Sequence, residues 1–271
     1  MNNRNETTTI ESIGSDIVFQ QDKAQIDIQI ATAKAYPRNI TRSTDNAITI
    51  VTMSKKTAST CNYSLPRGGK NITGPSVHLA KIIAQCWGNL RIESKVVDIG
   101  RTQITSQAIA FDLETNLAIK VEVKRSIASK NGVRYKDDMI TVTGNASNAI
   151  ALRNAVFAVV PRGVVDAVYE ASKKKITGDL SDKEKLIQER TRVFNGFKDN
   201  YGVTEDEVLK AIGKPSIATV NADDMVTLIG IAQAILDGDT TVDLAFRSNP
   251  SADQKKEEMR KKGDTNKDDL P

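Results

Sequence analysis

The sequence contains little that is typical of a secreted or membrane-spanning protein. Its two cysteines, Cys61 and Cys86, are too few for a disulfide framework, and we expect both to be unpaired. No run of about 18 or more apolar residues occurs, which argues against a helix that crosses a membrane. The first residues are polar and contain no hydrophobic signal core. We therefore expect a cytoplasmic protein without a membrane partner.

Catalytic motifs are also scarce. The single histidine, His78, has no neighbouring cysteine or histidine with which it could share a metal ion. The chain has no glycine-rich phosphate loop followed by Lys-Ser or Lys-Thr, and no dinucleotide-binding fingerprint. Metal-dependent nucleases need convergent carboxylates, whereas the adjacent residues Asp137 and Asp138 diverge on a helix or strand. The sequence thus predicts no enzyme activity, no cofactor and no metal site.

Aromatic residues make up only 4% of the chain. This low content argues against a domain that reads bases by stacking, such as an RRM, and favours contacts with a nucleic-acid backbone. The side chains that could stack on a base are Tyr63, Trp87, Phe111, Tyr135 and Phe157. Of these, we expect Trp87 to lie in the core.

The charges are divided unevenly along the chain, although the formal net charge is only +4. Residues 51–175 carry 19 basic and 9 acidic side chains, whereas residues 176–247 carry 8 and 13. A polyanion gains free energy from many cations on one surface, because counterions are released on binding. The distribution predicts a basic domain that binds nucleic acid and an acidic segment that does not.

Apolar periodicity predicts an α+β fold. Alternating apolar residues at 90–99, 103–112 and 117–127 indicate three strands, and the short polar turns between them favour an antiparallel meander. A helix is expected to begin after Ser76 and to end at Gly88. Pro161 should kink or end a long helix over residues 146–160, and a second helix should follow at 164–173.

Other segments are less clearly patterned. Residues 24–36 fit a strand or a helix, and residues 47–53 favour a strand. A shift in composition at residues 176–180 indicates a linker. Capping boxes at Ser181 and Thr204, with a third helix start at Asn221, indicate a helical module after it. We expect a disordered N-terminus at 1–20, a basic α+β domain for binding and oligomerisation at 21–176, an acidic helical module at 177–247, and a disordered charged tail at 248–271.

Cations distributed over the predicted sheet, its loops and the long helix are the candidate phosphate contacts. Arg and Lys side chains at strand-like spacing can follow a nucleic-acid backbone. The candidates are Arg67, Lys70, Lys120, Lys124, Arg125, Lys130, Arg134, Lys136 and Arg153.

A family resemblance adds to this interpretation. A helix that ends in Trp87-Gly88, a three-stranded meander and a long helix bearing Arg153 resemble the β-β-β-α core of single-strand annealing proteins. This superfamily includes the phage RecT, Redβ and Erf groups and the eukaryotic Rad-fifty-two type. Residues 65–160 carry most of the resemblance, particularly the segments 69–76 (GKNITGPS) and 139–145 (MITVTGN).

The resemblance implies ATP-independent binding of single-stranded DNA and annealing of complementary strands in phage-type recombination. It also implies a ring or filament of many subunits, with Lys120, Lys124 and Arg153 as the leading phosphate contacts. The acidic module would recruit a single-strand-binding protein or an exonuclease. The alternative function is an oligomeric structural or regulatory phage protein that binds nucleic acid incidentally.

Overall fold

The computed structural model describes residues 20–67, 70–129, 131–178 and 182–247. Within these ranges the chain forms an α+β fold with a two-stranded and a three-stranded sheet, both antiparallel. The α+β class predicted from the sequence is confirmed. None of the helices in these ranges combines the length and apolar character needed to span a bilayer.

The described residues form helices and two separate groups of consecutive strands. The helices are α1 (residues 20–35), α2 (Ile40–Thr52), α3 (Lys55–Thr60), α4 (Val77–Trp87), α5 (Asp137–Val159), α6 (Arg162–Gly178), α7 (Lys183–Tyr201), α8 (Glu205–Ile212) and α9 (Ala222–Leu236). The strands are β1 (Asn62–Arg67), β2 (Lys70–Pro75), β3 (Leu90–Ile99), β4 (Gln103–Asp112) and β5 (Leu117–Ser126). A short 3-10 turn (Ile217–Thr219) precedes α9, and a π turn (Asp243–Arg247) follows it.

The three-stranded sheet has the order β3-β4-β5, so the predicted meander is confirmed. Its central strand places Ala108 between Ser94 of β3 and Val121 of β5. Along β5 the half-buried Val121 and Val123 alternate with exposed side chains. The sheet therefore has an inner face that packs on helices and an outer face that carries most of its charged side chains.

Helix α5 covers the inner face because its contact surface is made of small residues. Gly144, Ser147, Ala151 and Ala155 recur every three or four residues and are buried. A Cβ atom at Gly144 would lie 3.1 Å from Cδ1 of Ile104 on β4. The small side chains thus allow the helix backbone to approach the sheet closely.

The main core lies between this sheet, α5 and helices α2, α4 and α6. The predicted helix α4 is confirmed: the Ser76 hydroxyl accepts hydrogen bonds from the backbone N–H groups of His78 and Leu79. It ends at Gly88, which has a φ of +67°. Trp87 is 4% exposed, as expected for a core residue.

A second core joins the C-terminal helices to the N-terminal part of the chain. It contains residues of α7, α8 and α9 together with Ala58 of α3 and Ile176 of α6. We expected Ile176 to begin a linker, but it lies in α6 and is fully buried. The capping boxes at Thr204 and Asn221 are present. Because they share this core with α3 and α6, the acidic helices are packed on the rest of the protein.

Two secondary-structure predictions were wrong. Residues 47–52 belong to α2, because Asn39 caps that helix and the buried Ser43, Ala47 and Val51 share one helical face. Helix α5 begins at Asp137, nine residues before the predicted start. Its first turn carries Asp137 and Asp138, whose negative charges stabilise the helix by interacting with the positive end of its dipole.

The remaining predictions concern the two ends of the chain and the start of α7. Residues 24–36, which fitted a strand or a helix, form α1 up to residue 35. Residues 1–19 and 248–271, which we expected to be disordered, and Ser181, which we expected to cap a helix, lie outside the described residues. Helix α7 is capped by Asp182, whose side chain accepts a hydrogen bond from the N–H of Glu184.

Candidate nucleic-acid interface

Lys120 and Lys124 lie on the outer face of the sheet, as the alternation along β5 predicts. Both side chains are exposed. They are four residues apart on one strand, which separates their Cα atoms by about 13 Å. The strand thus presents two cations to solvent in a straight row.

The outer face is not uniformly basic. Arg91 and Glu93 on β3 form an ion pair with an N–O distance of 2.5 Å. Gln107 on β4 donates a hydrogen bond of 3.1 Å to Glu122, which lies between the two lysines on β5. Cations and carboxylates therefore alternate across the middle of the face, and the positive field there is weaker than the charge of the sequence block suggests.

A denser group of cations lies at the end of the sheet where β3 turns into β4 and β5 ends. We call this group the basic tip; it consists of Arg101, Lys124, Arg134 and Lys136, all of them exposed. Nη1 of Arg134 donates hydrogen bonds to the carbonyl oxygens of Gly100 (2.5 Å) and Arg101 (3.1 Å). This contact joins the loop after β5 to the β3–β4 turn.

The loop of the basic tip has a defined backbone. Its ends are joined by a bridge between Ala128 and Arg134, and the N–H of Tyr135 donates to the carbonyl of Ile127 at 2.8 Å. Gly132 makes the turn with a φ of +78°, which side-chain-bearing residues rarely adopt. The backbone pairing fixes the position of Arg134 relative to the end of the sheet.

Arg125 and Arg153 face away from Lys120 and Lys124. Arg153 lies on α5, which covers the inner face, and its side chain is 13% exposed. Nη1 of Arg153 is 3.6 Å from Oδ2 of Asp239, and Nη1 of Arg125 is 4.0 Å from Oδ1 of the same carboxylate. The structure thus brings these two arginines together with an acidic residue and separates them from the exposed lysines.

The aromatic side chains have contacts within the protein. The guanidinium of Arg153 lies 4.5 Å from the centre of the Tyr63 ring, and that of Arg38 lies 4.6 Å from the Trp87 ring. Tyr135 packs against the small apolar cluster at the tip end of the sheet. These three rings support arginines and the core, whereas the half-buried Phe111 lies on the outer face of the sheet opposite Arg91.

Three of the predicted site residues cannot be placed in full. The backbones of Arg67 and Lys70 pair with each other at the end of the β1–β2 hairpin. Their side chains, and Lys130, lie outside the part of the chain that the structure describes. Their assignment as phosphate contacts stays a prediction.

Sequence reasoning missed two residues that the fold places at the candidate site. Arg101 lies in the β3–β4 turn, and its position between two predicted strands of a basic block was a usable signal. Asp239 has no such signal, because its contact with Arg153 joins positions that are far apart in the chain. Burial raises the pKa of Asp239 above its ordinary value, and the attraction of Arg153 offsets only part of that effect.

The cysteine thiols give no sign of an activated nucleophile. Cys61 and Cys86 are both free. Desolvation by burial raises the pKa of Cys61 to about 11, whereas nucleophilic cysteines have a lowered pKa. Among the described residues, no three His, Cys, Asp or Glu side chains are grouped so that they could hold a metal ion.

Comparison with known proteins adds no further assignment. No family model, no curated protein and no solved structure matches this chain.

Proposed function

We propose that this protein binds single-stranded DNA through the sugar-phosphate backbone and anneals complementary strands without ATP. The proposal depends on one observation: the exposed cations of the basic tip lie together at one end of the sheet. Lys120 extends this group along the outer face. Cations fixed on a sheet and its loops can hold a strand by its phosphates and leave the bases free to pair.

The order of elements supports the same function. A helix, a three-stranded antiparallel meander and then a long helix is the order that we associate with annealing proteins, and here it comprises α4, β3–β5 and α5. By this resemblance the protein acts as a ring or filament, without catalytic residues or a cofactor. The acidic helices α7–α9 would then bind a single-strand-binding protein or an exonuclease.

A second candidate is an oligomeric structural or regulatory protein that binds nucleic acid incidentally. Apolar side chains exposed near the basic tip favour it, because such patches are typical of protein contacts. They are Val97 (43% exposed), Ile99 (54%), Val133 (66%), Met139 (46%) and Val142 (53%). The same side chains would serve subunit contacts in an annealing protein.

Annealing of two complementary fluorescent oligonucleotides, without ATP or metal ions, distinguishes the two candidates. We expect the protein to accelerate annealing at low salt, and the acceleration to decrease as salt screens the phosphate contacts. A folded, oligomeric protein that gives no acceleration at any salt concentration would contradict the proposal and favour the structural candidate.

A further inference from the structure

A short segment after α9 lies against the basic domain. Residues 238–241, which we call the strap, connect the end of α9 to the π turn that contains Phe246. Gly238 begins the strap with a φ of +73°, and the N–H of Asp239 donates to the carbonyl of Ala234 at 2.9 Å. Beyond the strap, Phe246 is 7% exposed and its ring centre is 5.1 Å from that of Phe197. The strap is thus fixed at both ends.

The strap places one carboxylate between two arginines. The side chain of Asp239 is 8% exposed, and its carboxylate oxygens are 3.6 Å from Nη1 of Arg153 and 4.0 Å from Nη1 of Arg125. Both distances exceed the roughly 2.7–2.9 Å of a charge-assisted hydrogen bond. The attraction does not compensate for burial, since the pKa of this carboxyl is raised. Asp239 is therefore a weakly held counterion.

The arginines themselves have additional supports. The guanidinium of Arg153 lies over the Tyr63 ring, and its Nε donates to Oδ1 of Asn154 at 3.3 Å. Nη2 of Arg125 donates to the backbone carbonyl of Asp239 at 3.2 Å. Two guanidinium groups that converge on one anion form an arrangement suited to a backbone phosphate, which carries one negative charge, as a carboxylate does, and can present one non-bridging oxygen to each arginine.

The neighbouring carboxylate is also incompletely satisfied. Oδ1 of Asp237 lies 3.0 Å from Nε2 of His78 and accepts a hydrogen bond of 2.8 Å from Gln233. Its Oδ2 is buried and has no hydrogen-bond partner among the described residues. A buried acceptor without a donor costs free energy, so the residue that precedes the strap contributes an unfavourable term to the free protein.

We propose that Arg125 and Arg153 form a phosphate-binding site that the Asp239 carboxylate fills in the free protein, and that a backbone phosphate of single-stranded DNA displaces it. This inference rests on the proposed function. Arg125 directly follows Lys124 of the basic tip on the edge strand β5, so a strand that passes around this edge would gain two phosphate contacts and release the strap. The acidic segment would then limit binding to strands able to compete with Asp239.

Substitution of Asp239 tests the proposal directly. Asp239→Asn keeps the shape of the side chain and removes its charge. At moderate salt we expect it to bind labelled oligothymidylate about 10-fold more tightly, with the salt slope raised by up to about 1.4 for two added phosphates. Asp243→Asn is the matched control, because it makes the same charge change at a side chain that is 79% exposed. The gain should disappear when Arg125→Gln and Arg153→Gln are added to Asp239→Asn.

The outcomes separate this inference from the proposed function. Equal gains in Asp239→Asn and Asp243→Asn would show a general charge effect and overturn the inference. Binding by the wild type without a gain in Asp239→Asn would also overturn it, and would leave the proposed function intact. If none of the proteins binds DNA, the proposed function fails. In that case the inference is decided by measuring hydrogen exchange of the strap amides with and without added tripolyphosphate. Faster exchange in its presence supports the inference, and unchanged exchange overturns it.

Discussion

Gly230 of α9 lies directly against the backbone of Tyr63 on β1. A Cβ atom at position 230 would be 2.8 Å from the carbonyl carbon of Tyr63 and 2.9 Å from the nitrogen of Ser64. Backbone atoms of a paired strand cannot move aside as a flexible side chain can. The contact therefore requires glycine, and it joins the C-terminal helices to the β1–β2 hairpin.

Gly230→Ala should lower the free energy of unfolding by about 1–3 kcal/mol, the usual cost of overpacking. The urea midpoint measures this change. Gly196→Ala on α7 is the control, because the nearest atom to its added Cβ is 4.0 Å away. Alanine there should stabilise the helix by up to about 1 kcal/mol. If Gly230→Ala were as stable as the wild type, α9 and β1 could not pack as closely as described.

Arg38 is the most extensively paired cation in the described part of the chain. Its side chain is 6% exposed and forms ion pairs with Asp112 at 2.5 Å and Glu114 at 2.8 Å. Its guanidinium also lies over Trp87. Arg38→Gln removes the ion-pair partner of the buried Asp112, so we expect a loss of about 3–5 kcal/mol in unfolding free energy.

Arg42→Ala is the control for that substitution, because Arg42 is exposed on the next helix, α2. It should change stability by no more than about 0.5 kcal/mol. Trp87 is the single tryptophan of the chain, so its emission reports unfolding and the loss of the Arg38 contact together. Arg38→Gln with a midpoint close to that of Arg42→Ala would show that the buried pair contributes little.

Local patterns were sufficient for the parts of the fold that depend on neighbouring residues. The alternation around Val121 and the capping hydroxyl of Ser76 predicted β5 and the start of α4. The β-branched run Ile48–Thr52 favours a strand by propensity, but burial of one helical face of α2 determines its structure. The hydroxyls of Thr141 and Thr143 bond back to carbonyls within α5, so these residues do not interrupt it.

The candidate site was less predictable because it depends on which face of the sheet each cation occupies. Alternation places Lys120 and Lys124 together, and the structure agrees. The alternation gives no information on the partner of Arg153, which is Asp239, a residue that follows α9 in the chain. Pairings between residues so distant in the chain arise from tertiary packing, which no local pattern encodes.

Glu189 gives a prediction for acid stability. A hydrogen bond from Arg192 and the charge of Lys55 hold the pKa of Glu189 below its ordinary value. A carboxyl with a lowered folded pKa stabilises the protein at neutral pH, and this contribution disappears as pH falls through the folded pKa. The stability difference between wild type and Glu189→Gln should therefore be constant above about pH 5 and decrease towards pH 3.

Chemical unfolding of both proteins at several pH values tests this expectation. A double-mutant cycle with Lys55→Gln isolates the contact between α3 and α7, whose N–O distance is 3.3 Å. For a partly exposed pair we expect a coupling of about 0.2–1 kcal/mol at pH 7, which decreases as pH falls through the folded pKa of Glu189. A difference that grows on acidification would mean that the pKa of Glu189 is raised.

The basic tip yields the prediction most closely tied to function. Arg101→Gln, Lys124→Gln and Lys136→Gln each remove one exposed cation, and each lost phosphate contact should reduce the salt slope of single-strand binding by about 0.7. Lys185→Gln and Lys198→Gln remove the same charge from exposed positions on α7, and they should leave the slope unchanged. Fluorescence anisotropy of a labelled oligonucleotide between low and moderate salt measures the slope. An equal reduction in both sets would mean that net charge, and not this surface, determines binding.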